Sequence, residues 1–145
     1  MSAIDDVRAE GKLPIRNALH FSGDEGSYDV SLDPEAPGGL RVLAAFDVRE
    51  MLSEAQNWVT AIDPLTEIRV TEGDFLWAGE TAWGSDGFIA RVREDESLVW
   101  AFLFQDSNPF EDDIQVSGRY AMFRSTSEVT ITVDIDDPRL PIPRT

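Results

Sequence analysis

The side chains in this chain that could do chemistry are carboxylates and indoles. Asp106-Ser-Asn-Pro-Phe-Glu-Asp-Asp113 places four carboxylates, Asp106, Glu111, Asp112 and Asp113, within eight residues. Calcium favours oxygen ligands on a turning loop, but Phe110 stands where an oxygen ligand belongs and no glycine follows to turn the chain. The segment is therefore expected to be a solvated loop or a partner contact, with no metal. Asp134-Ile-Asp136 repeats the theme near the C-terminus. At period two Asp134 and Asp136 share a face. Paired carboxylates perform acid–base chemistry only when burial drives their pKa values apart, and the alternation here puts both on the polar face.

No nucleophile and base accompany them. His20 is the one imidazole, and Ser22 and Asp24 lie too near it in sequence to define a Ser-His-Asp site. The chain has no cysteine, which excludes thiol catalysis, disulfides and thiolate metal sites. Gly23, Gly26, Gly38, Gly39, Gly84 and Gly87 fit neither the dinucleotide fingerprint nor the P-loop and read as turns. No catalytic residue, metal or cofactor is expected.

Four tryptophans remain: Trp58, Trp77, Trp83 and Trp100. Trp58 falls on the apolar face of a predicted helix and Trp100 in a predicted interior strand, so both are expected in the core. Trp77 and Trp83 lie six apart in an aromatic, glycine-containing segment. On one strand they would share a face and one could be exposed, and an exposed aromatic marks a protein interface more often than a sugar site. The expected partner-binding set is thus Asp106, Glu111, Asp112, Asp113, Asp134, Asp136, Trp77 and Trp83.

Charge sets the kind of partner. With 28 Asp and Glu against 12 Lys and Arg, the formal net charge is −16 on 145 residues. Such a surface repels nucleic-acid phosphate and anionic lipid, and steers cationic partners. Eleven of the twelve cations are arginine, which codon bias or a salt-loving habitat would also produce. Eight Phe and four Trp are too much bulky apolar material for a disordered acidic tail. Residues 1–12 contain no apolar run of the signal-peptide kind and no window is long enough to span a bilayer, so a cytoplasmic protein is expected.

The elements that must position these groups are mostly strands. Residues 2–10 predict a short helix with Ser2 and Asp5 as a capping box. Residues 18–21, 28–32 and 40–46 predict three strands separated by glycine turns. Val48, Met51, Leu52, Ala55, Trp58 and Val59 repeat at 3.6 residues, with Asp47 as N-cap, and predict the main helix over 47–59, packed on the sheet. Strands follow at 66–71, 75–83, 88–93, 98–105, 114–116, 119–124 and 128–136. Residues 98–104, apolar on both faces, predict an interior strand. Pro138, Pro141 and Pro143 make 138–145 an extended tail. The expected fold is a single α+β domain: a twisted antiparallel sheet of about seven to nine strands with one main amphipathic helix on one face.

Size, charge and layout are similar to those of small acidic immunity proteins, with no shared motif. The expected function is a non-enzymatic acidic binding protein, an immunity or inhibitor protein that neutralises a basic partner such as a toxin or nuclease. The alternatives are a ligand-binding or enzymatic domain with a Trp- and carboxylate-lined concavity, and a structural or assembly subunit.

Overall fold

The computed structural model describes residues 3–23, 25–70 and 73–143. Ser2, Asp24, Thr71 and the last two residues of the expected tail lie outside them. The fold is α+β. An eight-stranded antiparallel sheet runs in the order β1-β5-β6-β7-β8-β2-β3-β4, and a three-stranded sheet in the order β11-β10-β9. The strands are β1 (Lys12–Pro14), β2 (Ala18–Phe21), β3 (Ser27–Leu32), β4 (Leu40–Phe46), β5 (Val59–Arg69), β6 (Phe75–Thr81), β7 (Gly87–Val92), β8 (Leu98–Phe104), β9 (Gln115–Ser117), β10 (Tyr120–Arg124) and β11 (Thr130–Asp134). Two short α-helices, α1 (Ala3–Ala9) and α2 (Val48–Glu54), and a 3-10 turn at Pro37–Gly39 complete the elements among the described residues.

Connectivity forces the large sheet to curl. β1 is its first strand and β2 its sixth, yet only Ile15, Arg16 and Asn17 separate them. Pro14 and Ala18 are four residues apart and span at most about 14 Å. Five strand spacings in a flat sheet would span about 24 Å. The first and sixth strands therefore approach each other, and β1 and β2 act as two halves of one bent strand. The linking residues take part: the Ile15 N–H donates to Trp58 O (3.0 Å), and Asn17 Oδ1 accepts the Gln105 N–H (2.6 Å).

Both faces are buried, as the doubly apolar β8 requires. Trp100, Phe102 and Phe104 point to one side, where the three-stranded sheet covers them with Ala121, Phe123, Ile131, Val133 and Ile135. Leu98, Ala101 and Leu103 point to the other, with Leu13, Trp77, Phe88, Ala90, Val92 and Ile4 of α1. Arg91, buried on β7, ties the layers: it pairs with Asp74 (2.9 Å) and Asp136 (3.2 Å) and donates to Ile135 O (2.9 Å).

The main helix departs from the expectation. Asp47 is its N-cap, accepting the N–H groups of Arg49 and Glu50, but the helix ends at Glu54 and buries none of its residues. Residues 55–58 form a turn, closed by the Trp58 N–H on Ala55 O (3.0 Å), and Val59 opens the eleven-residue β5. The periodicity fails because strand pairing outbids the last helical turns: β5 pairs with β1 over 59–61 and with β6 from Ile62 to Arg69. Trp58 is consequently 50% exposed instead of packed on the sheet. It is α1 that delivers a fully buried side chain, Ile4, to that face.

Candidate functional site

The far ends of five strand segments meet at one rim of the curled sheet: β1 and β8 end there, β5 begins, and the β6–β7 turn crosses over. Ile15, Trp58, Trp83, Ser85, Asp86, Gln105 and Asp106 line a groove of about 180 Å³ at this rim.

Local backbone chemistry sets each member. Trp58 is held by its turn and by the Ile15 N–H on its carbonyl oxygen. Trp83 follows β6, where the Thr81 hydroxyl accepts the Trp83 N–H and donates to the Trp83 carbonyl (3.0 Å each). Gly84-Ser-Asp-Gly87 then turns the chain, with the Asp86 N–H on Trp83 O (3.0 Å). The loop after β8 lies against this turn: the Asn108 N–H donates to Ser85 O (2.8 Å) and the Phe110 N–H to Gly79 O (3.1 Å). Gly87 permits the approach, since a β-carbon there would sit 2.5 Å from Asn108 O and 2.7 Å from the Phe110 ring. The loop thereby carries Asp106 beside Asp86, whose Oδ1 accepts the Asp106 N–H (3.0 Å) and the Ser85 hydroxyl (3.3 Å).

Trp58 and Trp83 are about half exposed, 50% and 54%, whereas Asp86 is only 5% exposed. Among the described residues no Arg, Lys or His pairs with Asp86 or Asp106. The groove therefore offers two indole faces and uncompensated carboxylate, a chemistry suited to cations.

Of the residues expected to bind a partner, Trp83 and Asp106 reach this groove. Glu111, Asp112 and Asp113 are exposed on the same loop further along, with Asp112 at the edge of ion-pair range from Arg124 (3.9 Å). Three others have different roles. Trp77 does not share a face with an exposed Trp83: it is buried on β6, donates to Glu67 (2.7 Å) and carries the Arg8 guanidinium over its ring, while Trp83 lies past the strand end. The Trp77–Trp83 concavity is accordingly absent. Asp134 does not lie on a wet face. It is buried, accepts the N–H groups of Asp136 (2.9 Å) and Asp137 (3.3 Å), and pairs with Arg119 (2.7 Å), whose pKa that bond raises. Asp136 is exposed but bound to Arg91. Sequence reasoning missed Trp58, Asp86, Ile15, Ser85 and Gln105. The β-branched Val59-Thr60 directly after Trp58 was the signal that a strand, and not a helix, continues there.

Among the described residues no group of three or more His, Cys, Asp or Glu side chains is placed to hold a metal ion. Among the described residues no helix is long and apolar enough to cross a membrane. No family model, curated protein or solved structure matches the chain.

Proposed function

We propose that the chain is a non-enzymatic acidic binding protein of the immunity or inhibitor type, which neutralises a basic partner such as a toxin or nuclease in the cytoplasm. The observation that carries this reading is the pairing of Trp58 and Trp83, each half exposed, around a groove whose carboxylates lack a cation. Interface hot spots are enriched in Trp, sit centrally and are ringed by polar groups. Here Ser85, Asp86, Gln105 and Asp106 supply the polar groups, and the loop that bears Asp106 continues to the exposed Glu111, Asp112 and Asp113. The net charge of −16 adds long-range attraction to a cationic surface. The groove, at about 180 Å³, is smaller than the roughly 300–1,000 Å³ clefts that enclose drug-sized ligands, which supports a side-chain anchor over a substrate cavity.

The test is affinity capture from the source cell followed by association kinetics on the captured protein. A basic partner whose association rate falls steeply with salt, and falls again when Glu111, Asp112 and Asp113 are reversed to Lys, is the expected result. A partner of neutral or acidic character with a salt-independent rate refutes the proposal.

A further inference from the structure

Asp86 stands apart from the other carboxylates of this protein. A carboxylate removed from water and left without a cation is costly, and proteins normally pair it. Oδ1 of Asp86 is occupied by the Asp106 N–H and the Ser85 hydroxyl. Oδ2 has no donor among the described residues, yet it is not sealed away, since the buried, partnerless side-chain polar atoms of those residues are Arg8 Nε and His20 Nε2, both elsewhere in the fold. The opening that Asp86 lines is the groove between Trp58 and Trp83.

We infer that this groove is a receptor for one guanidinium group, the side chain of an arginine presented by the basic partner. The inference rests on the binder reading above and names the chemistry its anchor recognises. Three features choose arginine. A planar guanidinium stacks on an indole while its edge donates to a carboxylate, which an ammonium cannot do in one pose. Asp86 is held from behind by two donors, so its free oxygen is oriented before the ligand arrives, and little ordering is lost on binding. Asp106 and Gln105 stand at the same opening and supply further acceptors. The groove's volume suits one extended side chain, and its charge complements a cation.

The experiment is a titration of the intact protein with N-acetyl-arginine amide, following the tryptophan indole N–H signals by NMR. Saturable shifts of Trp58 and Trp83 in the millimolar range, with Trp100 unmoved, are expected. N-acetyl-citrulline amide, the neutral isostere, should bind at least about tenfold more weakly, and N-acetyl-lysine amide should fall between them. Asp86→Asn keeps the Oδ1 acceptor and should weaken arginine by about tenfold. Should that variant fail to fold, Trp58→Leu and Trp83→Leu, both at exposed positions, must each weaken binding by a similar factor. Citrulline binding as well as arginine, a neutral sugar shifting the same signals as strongly, or wild-type binding in the Trp58→Leu and Trp83→Leu variants overturns the inference. The two readings separate cleanly. Arginine amide bound by a protein that captures no basic partner sinks the inhibitor reading and supports the guanidinium site. A basic partner held equally by wild type and the Trp58→Leu/Trp83→Leu double variant sinks the site and leaves the inhibitor reading standing.

Discussion

Lowering the pH should weaken the fold in part through one buried side chain, His20. It sits on β2 between β8 and β3 and is fully buried. Its Nδ1 is 2.7 Å from Ser27 Oγ, and its Nε2 has no partner. Phe46 meets the ring edge-on at 6.0 Å, and the Arg16 guanidinium stacks on the same Phe46 at 3.7 Å. Burial, seconded by the Arg16 charge, pushes the imidazole pKa down to about 3 from its ordinary 6.5. A depressed base binds fewer protons folded than unfolded between those two values, so stability falls as pH falls through that window and is constant above it. Each pH unit below the unfolded value removes about 1.4 kcal/mol, so the loss reaches about 1.4 kcal/mol at pH 5.5 and about 2.7 kcal/mol at pH 4.5. That is a sizeable share of the roughly 5–15 kcal/mol that holds a domain together.

Acidic residues titrate in the same range, so the absolute pH curve does not isolate His20. A difference does. His20→Asn retains a polar atom near the Nδ1 position, beside Ser27, and removes the only imidazole in the chain. Urea unfolding of both proteins at pH 7.0, 5.5 and 4.5 subtracts the shared carboxylates. Urea is preferred to guanidinium chloride because it leaves the self-repulsion of the acidic chain unscreened. The stability advantage of wild type over the variant should shrink by about 2.5 kcal/mol between pH 7.0 and 4.5. Parallel curves would refute the reasoning, as would an imidazole signal that titrates near pH 6 by NMR.

Three further outcomes follow from the packing. Trp58→Ala should change stability by less than about 1 kcal/mol, because half of that side chain is in water, whereas Trp100→Ala, fully buried with its Nε1–H on Ile135 O, should cost about 3–5 kcal/mol; chemical denaturation checks both. Arg91→Met should destabilise by about 3–5 kcal/mol, since it strands Asp74 at the junction of the two sheets and leaves Ile135 O with the Trp100 Nε1–H as its side-chain donor, and the double variant Arg91→Met/Asp74→Leu should recover part of that loss in the same assay. Asp134→Ala should destabilise by about 2–3 kcal/mol by orphaning two backbone donors and the Arg119 guanidinium, while leaving the association rate per folded molecule unchanged in stopped-flow measurements.

The strands were largely legible in the sequence because their signals are local. Ala18–Phe21 and Leu40–Phe46 begin and end where alternation and turn glycines put them, and the doubly apolar Leu98–Phe104 is interior, as its composition demanded. The helix was legible only at its start. Asp47 caps as its side chain dictates, but nothing within 55–59 reveals that β1 and β6 will claim Val59 onward. That competition is between a local periodicity and pairings with residues 12–14 and 75–81, which are remote in sequence. The site suffered from the same error. Placing Trp58 in a helix put it in the core and removed one wall of the groove, and Asp86 read as a turn former because its burial depends on the loop after β8 folding over it. Asp134 erred in the opposite direction. Alternation assigns it outward, but the chain bends after β11, and its carboxylate turns to receive the amides of Asp136 and Asp137.

The placement of the arginines gives the acid surplus its meaning. Arg16, Arg41, Arg69, Arg91, Arg119, Arg124 and Arg139 each pair with a carboxylate of the chain itself. Asp137, for one, is held below its ordinary pKa by the Arg139 side chain, which also reaches Tyr28 and lies over Phe21. With seven arginines committed internally, most remaining carboxylates have no cation in ion-pair range among the described residues, and they are spread over the chain, Glu35, Glu50 and Asp63 as well as Asp86, Asp106, Glu111 and Asp113. Codon bias or adaptation to salt would explain exposed, hydrated carboxylates on any face. Neither singles out Asp86, which is largely withdrawn from water and borders the two most exposed indoles of the chain. On the guanidinium proposal, the cation that Asp86 lacks within the described chain is the one an arginine of the partner would bring.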